Sequence, residues 1–385
     1  MKLKHYIHFV LCLLIGTTML TGCIEEFEAD LPEEETDLLV VEGTIHSYLN
    51  TFTLSRSLGI NSDVDPKMVK GARVSVQGTD GSVIQCWDMD DGQYFCWIDS
   101  LSPDVKYYLH IETDAEVYES EPQKPLPTEQ IADVSGMQPT PYSDIDILVT
   151  PEEPFDANKT NYYSWSYEET WEVQPEVRTT IVFDMDLRKP VYDADQFPYR
   201  GWKDGSSKTI MVGSSKNYEG QHIRRFKIYD IGRSNERIYY RYSANLEQRA
   251  ITRAEYEYEL ARRQAGTEMG GLFTPLPSAL PSNIHCLTSK KRVIGFVGCS
   301  MNVSYHRFFL DAPDYSIDHK RPDLLLKFED CDEQFCCDMV NKGLYLCQWN
   351  DNRMSPGGTL NTSWATERNL DVRLQGAYIE EPYFW

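Results

Sequence analysis

The chain has 385 residues, and its 60 acidic side chains outnumber its 37 basic ones, which gives a formal net charge of −23. This acidity argues against nucleic acid as a partner, because phosphates would be repelled, and against flat adsorption on an anionic lipid surface. An apolar content of 41% and an aromatic content of 12% are typical of a folded protein. A chain of this length can bury a large core, in two or three domains.

The start of the chain has the three parts of an export signal. Two lysines precede a largely apolar block, 6–20, whose 15 residues are fewer than the roughly 20 that a transmembrane helix needs. The block ends in LTGC (20–23), which looks like a bacterial lipobox. We therefore expect residues 1–22 to be a lipoprotein signal peptide, cut between Gly22 and Cys23. Acyl chains on Cys23 would then anchor the mature chain to a membrane.

The segment behind the lipobox is strongly acidic. Residues 23–37 contain eight acidic side chains and no basic one. One interpretation is a solvated tether that repels itself and extends. The other is an address, since acids after a lipidated cysteine resemble the signal that sends Bacteroidetes lipoproteins to the exterior of the outer membrane. The second interpretation predicts that protease added to intact cells removes the protein, and protection until lysis would contradict it.

Cysteine usage predicts disulfide bonds. Eight of the ten cysteines follow Cys23, and an even number in an exported chain is typical of disulfides. A hairpin centred on Asp91 would place Cys86 opposite Cys96 on one face, and Trp87 opposite Phe95 on the other. The remaining six cysteines allow 15 connectivities, and the sequence does not choose among Cys286, Cys299, Cys331, Cys336, Cys337 and Cys347.

The chain is predicted to be mainly β. Seven short alternating segments over residues 38–121 predict an immunoglobulin-like β-sandwich. Prolines mark residues 122–128 as a stiff linker. Residues 129–385 form a larger β-rich domain with a Cys-rich tail that we expect to be loop-rich.

One short helix interrupts the larger domain. Thr252 and Glu255 form a capping box, and Gly266 is a C-terminal stop signal. The spacing places Tyr256, Leu260 and Arg263 on one face, and we expect this face to pack on a core, with the Arg263 stem laid over it.

No catalytic or phosphate-binding motif is present, and the six histidines after residue 22 are scattered singly. We expect no metal site and no cofactor, and zinc at the CDEQFCC segment is disfavoured because exported thiols tend to oxidise. On strand 162–173, Trp165 and Trp171 share one face. Core packing is the favoured interpretation of this face, and the alternative is a platform that stacks on a sugar or peptide.

The order of the segments resembles a family of Bacteroidetes lipoproteins catalogued as domain of unknown function 4249. The resemblance rests on the lipobox, "VVEGTI", "VKGARVSVQGTDGS", "GQYFCWIDSLSPDVKYYLHI", "PLPTEQI", "YYSWSYEETWEV", "LFTPLPSALPSNIHC", "VIGFVGCSMNVSYHRFFL" and the terminal "EPYFW". It implies no catalytic residue. It does imply a genomic context, because such lipoproteins are often encoded beside TonB-dependent outer-membrane transporters.

The resulting expectation is a lipid-anchored protein of the outer membrane that faces the cell exterior. We expect a non-enzymatic accessory or ligand-binding subunit that associates with a TonB-dependent transporter during nutrient uptake, with a glycan, a peptide or another nutrient as its ligand. An alternative is a surface hydrolase of glycans or peptides. A further alternative is an adhesin or a structural envelope protein.

Overall fold

The computed structural model describes residues 37–57, 66–267, 281–320 and 322–385, and these residues are mainly β. The predicted signal peptide, Cys23 and nearly all of the acidic tether lie outside the described residues. The first ten strands are β1 (Leu39–Glu42), β2 (Thr44–Ile45), β3 (Tyr48–Arg56), β4 (Lys67–Met68), β5 (Arg73–Gly78), β6 (Val83–Gln85), β7 (Trp87–Asp88), β8 (Gln93–Ile98), β9 (Tyr107–Glu112) and β10 (Val117–Ser120).

Sixteen further strands and three α-helices are described. The next nine strands are β11 (Ile131–Met137), β12 (Ile145–Pro151), β13 (Tyr162–Val173), β14 (Ile181–Asp184), β15 (Lys189–Tyr192), β16 (Gly201–Ser206), β17 (Met211–Ser214), β18 (Phe226–Ile231) and β19 (Arg241–Ile251). The remainder are α1 (Arg253–Thr267), β20 (Ile284–Cys286), β21 (Val293–Gly295), β22 (Gly298–Cys299), β23 (Ser304–Asp311), β24 (Leu326–Phe328), α2 (Glu333–Asn341), β25 (Leu344–Asp351), β26 (Leu360–Thr366) and α3 (Glu367–Leu370).

The first unit consists of two sheets around one core. The strand order is β21-β1-β3-β8-β7 in one sheet, with β4 on β3, and β20-β10-β9-β5-β6 in the other. Both sheets contribute buried side chains to the core, among them Phe52, Val74 and Ile111. Burial of this alternating apolar pattern is what holds the two sheets together. The immunoglobulin-like strand order stays a prediction.

Residues that the sequence analysis assigned to the second domain complete the first unit. Strand β20 pairs with β10, β21 with β1, and β22 with β2. The boundary near residue 121 therefore omits a returning segment, residues 284–299. The physical reason is that the partner of an edge strand is determined by the tertiary structure. No local sequence pattern identifies a partner more than 160 residues away.

The β7–β8 hairpin has the predicted register. Trp87 faces Phe95, and their ring centroids are 5.2 Å apart on the exposed face. The turn uses two left-handed residues, Asp90 (φ 61) and Gly92 (φ 86), as a tight hairpin requires.

The second unit also has two sheets. One has the order β11-β12-β18, and the other has the order β16-β13-β19-β23 with β17 on β13. A second core lies between them and includes Ile147, Trp165 and Leu246. Strand β13 is the centre of this unit, because β16, β17 and β19 all pair with it.

The C-terminal region is more regular than predicted. It forms the sheet β24-β26-β25, and Trp364 is fully buried in its core. Helix α2 begins after Asp332, whose carboxylate accepts a hydrogen bond from the Phe335 backbone N–H at 2.7 Å. The expectation of a loop-rich tail is wrong, and the Asp332 cap is the local signal that indicates this helix.

Helix α1 has the predicted cap but a different buried face. The Glu255 backbone N–H donates to the Thr252 hydroxyl at 3.1 Å, which confirms the first half of the capping box. The buried positions are Glu255 and Tyr258, whereas Arg263 is exposed. The predicted face is therefore wrong, because the sheet edge that receives the helix selects the face. Among the described residues, no helix has the length and apolar content needed to cross a bilayer.

Candidate ligand-binding pocket

The inner face of strand β13 belongs to the core. Trp165 is 3% exposed, stacks on Phe226 with ring centroids 5.2 Å apart, and donates its indole N–H to the Gln248 side-chain oxygen at 2.9 Å. Trp171 is also buried in this core. Buried ring faces cannot stack on a ligand unless the core opens. The stacking-platform alternative for Trp165 and Trp171 is therefore corrected to core packing.

A buried polar network lies on the same inner face. Both Glu169 carboxylate oxygens accept hydrogen bonds from Arg237, at 2.8 and 3.0 Å. The Tyr242 hydroxyl donates to the same carboxylate at 2.8 Å and contacts the Tyr229 hydroxyl at 2.9 Å. Burial raises the pKa of Tyr242 well above its usual value, so this hydroxyl stays protonated as a donor. Arg237 and Tyr242 thus satisfy the charge of Glu169 within the network, although Glu169 also borders the cavity described next.

The outer face of the same sheet carries a cavity of about 440 Å³, which we call the outer pocket. Glu168 and Thr170 on β13 face Ser206 and Asp204 on β16. Arg307 on β23 joins them through the shared neighbour β19. The register of four strands thus brings two carboxylates, hydroxyls and a guanidinium to one surface.

Asp204 is held in place at one side of the outer pocket. The Thr170 hydroxyl donates to it at 2.6 Å and the Tyr378 hydroxyl at 3.0 Å, both to the same oxygen. Burial and the hydrogen bond to Asp204 together raise the pKa of Tyr378 to about 12. Within the described residues, no Lys, Arg or His lies within ion-pair distance of Asp204 or Glu168. Both carboxylates can therefore accept hydrogen bonds from a ligand.

The C-terminal segment forms the opposite wall of the outer pocket. The Arg307 guanidinium lies over the Phe384 ring, 3.6 Å from its centroid, and donates to the Ser243 hydroxyl at 3.2 Å. Burial lowers the pKa of Arg307 from its usual value. Trp385 then packs edge-on against Trp202, with centroids 6.2 Å apart. These contacts fix the aromatic wall against the sheet.

Most residues of the outer pocket are ones that no sequence motif indicates. Asp204, Arg307, Tyr378 and Phe384 come from three distant segments, and no spacing connects them. The terminal EPYFW segment supports the family resemblance and predicts no site by itself. Its aromatic residues at the end of a β-rich chain were the one signal that pointed to this wall.

Residues 24–306 match the family described as a domain of unknown function, DUF4249. The chain belongs to this family. The match includes Glu168 and Asp204, but Arg307 and the C-terminal wall of the outer pocket lie beyond it. None of the curated proteins compared with the chain matches it.

One solved structure among those compared is a DUF4785 family protein from Legionella pneumophila subsp. pneumophila str. Philadelphia 1. It is 12% identical in sequence, the alignment covers 55% of this chain and 52% of that chain, and the TM-score is 0.18. The chain thus spans about half the length of that protein. A TM-score this low carries no argument about fold or function.

The predicted cysteine pair of this DUF4249 protein lies inside the first core. The Cys86 and Cys96 side chains contact each other, and the hydrogen bond between them raises the pKa of Cys86 and lowers that of Cys96. The structure carries both as thiols, so the disulfide stays a prediction. Cys299 is buried in the same core and Cys286 packs against it.

The C-terminal cysteines form a separate group. Cys331, Cys336 and Cys337 are buried around Trp364, while Cys347 is half-buried in an adjacent cluster. The pKa of Cys336 is raised to about 12, mainly by burial and to a lesser extent by the neighbouring Cys331. Their pairing stays open. Nowhere in the described ranges do three His, Cys, Asp or Glu side chains gather as metal ligands would.

A cavity of about 390 Å³ lies where the linker meets the second unit. Leu126, Pro127, Tyr162 and Ile251 give it a mostly apolar lining. Of its two acids, Glu129 accepts hydrogen bonds from the Tyr163 hydroxyl at 3.0 Å and the Phe155 backbone N–H at 3.2 Å, and Asp156 lies at its rim. The outer pocket brings Glu168, Asp204 and Arg307 together on one sheet face, and this convergence makes it the stronger candidate site.

Proposed function

We propose that this protein is a lipid-anchored outer-membrane protein that faces the cell exterior and binds a small hydroxyl-rich nutrient, such as a short glycan, in the outer pocket. It acts as a non-enzymatic accessory subunit of a TonB-dependent transporter. The lipobox ending at Cys23, the acidic segment behind it and the family membership support the location. The convergence of Glu168, Asp204 and Arg307 on one sheet face supports the binding role.

The composition of the outer pocket suits a polar ligand with an apolar face. Carboxylates accept hydrogen bonds from hydroxyl groups, and the Tyr378 and Phe384 rings offer apolar edges. Its volume of about 440 Å³ lies within the range of roughly 300–1,000 Å³ that small-molecule pockets occupy. An anionic ligand is disfavoured, because two carboxylates outnumber one guanidinium and the chain carries a net charge of −23.

Calorimetry against a panel of neutral oligosaccharides tests the binding role. We expect binding by the wild-type chain and loss of binding in Asp204→Asn, because the amide replaces a carboxylate acceptor. Asp195→Asn is the matched control, since Asp195 is an exposed acid that does not line the outer pocket. Equal affinities in both variants would contradict the proposed site.

Co-purification tests the partner. The native lipoprotein, extracted in mild detergent, should bring a transporter barrel with it, and deletion of the protein should impair the uptake of one substrate. Normal uptake of every substrate, together with altered attachment of the cells, would favour an adhesin.

A glycan hydrolase is the second candidate. Glu168 faces Ser206, so Asp204 is its diagonal neighbour across the β13–β16 pair. Diagonal neighbours have Cα atoms about 7–8 Å apart, so their two carboxyl groups can approach within the roughly 5–10 Å that paired catalytic carboxylates use. Turnover of an oligosaccharide by the purified chain, abolished in both Glu168→Gln and Asp204→Asn, would favour this candidate over a binding subunit.

A further inference from the structure

One end of the first unit collects positive charge. Val293, Leu39, Arg56 and Lys67 lie side by side at the same level across β21, β1, β3 and β4. Arg292 directly precedes Val293 of this row. Asp37 lies two residues before Leu39, so the chain reaches the row through β1. The row therefore marks the place where the chain enters the fold.

Two cavities open at this end, with volumes of about 550 and 290 Å³. Among the described residues, their linings contain six Lys and Arg residues and two acids, Asp37 and Asp114. We call this surface the basic end, defined by Arg56, Lys67, Lys70, Lys290, Lys291 and Arg292. A cluster of this kind is unexpected in a chain with 60 acidic and 37 basic side chains.

A buried carboxylate holds the larger cavity's loop in place. Glu116 is 8% exposed and pairs with Lys291 at 3.2 Å, and it accepts a hydrogen bond from the Ser289 hydroxyl at 3.1 Å. The neighbours Lys290 and Arg292 have no carboxylate within ion-pair distance among the described residues. The loop is thus anchored through its middle residue and presents two cations.

The basic end is also the part of the fold nearest to the proposed anchor. Cys23 precedes Asp37 by 14 residues, which span at most about 50 Å when fully extended. Any protein body attached through this segment has the basic end at the base of its tether. A surface in this position meets lipid headgroups more often than any other part of the fold.

We propose that the basic end binds the phosphate groups of membrane lipid headgroups and orients the protein body on the membrane. The orientation rests on the proposed anchoring through Cys23, whereas the binding itself does not. Lysine and arginine are the side chains that bind phosphate, Arg by paired donors and Lys as a point charge. A headgroup can enter either cavity, and the larger one is bordered by the loop that carries Lys290 and Arg292.

The net negative charge of the chain does not prevent this contact. Interactions between exposed charges are screened beyond about 8 Å at physiological ionic strength. A headgroup at the basic end therefore senses the local charges far more than the acids of the second unit. Those local charges are six cations, of which Lys291 is paired with Glu116, and the acids Asp37 and Asp114. The proposal therefore differs from the expectation, based on net charge alone, that anionic lipid is repelled.

Sedimentation with lipid vesicles tests the proposal. Residues 23–385 with Cys23→Ser, which removes the lipid site, are mixed with vesicles of phosphatidylcholine alone or of phosphatidylcholine mixed with phosphatidylglycerol. We expect binding to the mixed vesicles only. Lys290→Glu with Arg292→Glu, and separately Lys67→Glu with Lys70→Glu, should each lower the bound fraction roughly tenfold or more.

The control is Lys208→Glu with Lys216→Glu, which makes the same charge change at exposed positions of the second unit and should bind as the wild type does. Equal loss in the control would reduce the effect to net charge and overturn the proposal. Absence of binding to the mixed vesicles would also overturn it, as would binding that appears only in Glu33→Gln, Glu34→Gln, Glu35→Gln, because the acidic segment would then occupy the basic end. Nutrient binding by the outer pocket is unaffected by these outcomes, so the two proposals fail separately.

Discussion

The two faces of strand β13 carry similar residues in opposite roles. Glu169 points inward, where Arg237 and Tyr242 satisfy its carboxylate, and it stabilises the core. Glu168, the preceding residue, points outward and has no basic partner among the described residues. The comparison teaches that the neighbouring strands determine what a carboxylate does, and that the more polar face is the one available to a ligand.

The β7–β8 hairpin shows the same division in the first unit. The sulfurs of Cys86 and Cys96 face the core, whereas Trp87 and Phe95 pair on the exposed side. If burial decides the role, inward substitutions should change stability and outward ones should change it little. Four predictions test this, from the largest expected change in the free energy of unfolding to the smallest.

Removal of the buried carboxylate should have the largest effect. Glu169→Ala leaves Arg237 charged and largely buried without its partner, which should lower the free energy of unfolding by about 3–5 kcal/mol. Chemical denaturation measures this change. Glu168→Ala is the matched control on the other face, and its stability should stay within about 0.5 kcal/mol of the wild type. Similar losses in both variants would remove the distinction between the faces.

The buried sulfurs should give the second largest effect. If Cys86 and Cys96 are bridged, the bond closes a loop of about ten residues, and its reduction should lower the free energy of unfolding by about 2–3 kcal/mol. Thermal unfolding of exported protein with and without reductant measures the loss. Reductant also acts on other cysteines, so the loss is compared with that of the double variant Cys86→Ala, Cys96→Ala. Alkylation of both thiols in native protein would contradict the bridge.

The exposed aromatic pair of the hairpin should contribute less. Trp87 is 59% exposed, and cross-strand aromatic pairs contribute roughly 0.2–1 kcal/mol. Trp87→Ala should therefore lower the free energy of unfolding by less than about 1 kcal/mol. A loss as large as that of Glu169→Ala would mean that another surface covers this indole.

The features that the sequence predicted correctly are set by short-range rules. The Asp90-Asp91-Gly92 turn determines which residues pair across the hairpin, and side-chain alternation divides the two faces of β13. The Thr252 cap is likewise a matter of residues three apart. Each of these depends on geometry within about a dozen residues, and local residue identity specifies that geometry.

The features that it missed depend on contacts between distant segments. Strand β20 pairs with β10 although more than 160 residues separate them in the sequence. The Tyr378 hydroxyl donates to Asp204, which lies 174 residues earlier in the chain. The aromatic residues of β13 drew attention in the sequence because they are conspicuous, yet conspicuous apolar side chains are the ones that a core buries. The outer pocket is made of residues that look ordinary until the fold brings them together.

The smallest stability change should accompany the largest functional one. Asp204→Asn keeps a side-chain oxygen that can accept from the Thr170 and Tyr378 hydroxyls, and Glu168 has no basic partner among the described residues. Asp204→Asn with Glu168→Gln should therefore keep the free energy of unfolding within about 0.5 kcal/mol of the wild type. The same change removes both acidic acceptors of the outer pocket and should abolish oligosaccharide binding in calorimetry. Glu169→Gln should show the reverse pattern, because Arg237 and Tyr242 already engage its carboxylate and leave it little capacity for a ligand. Binding that depends on Glu169 but not on Asp204 would mean that the inner face opens, and the assignment of the two faces would be reversed.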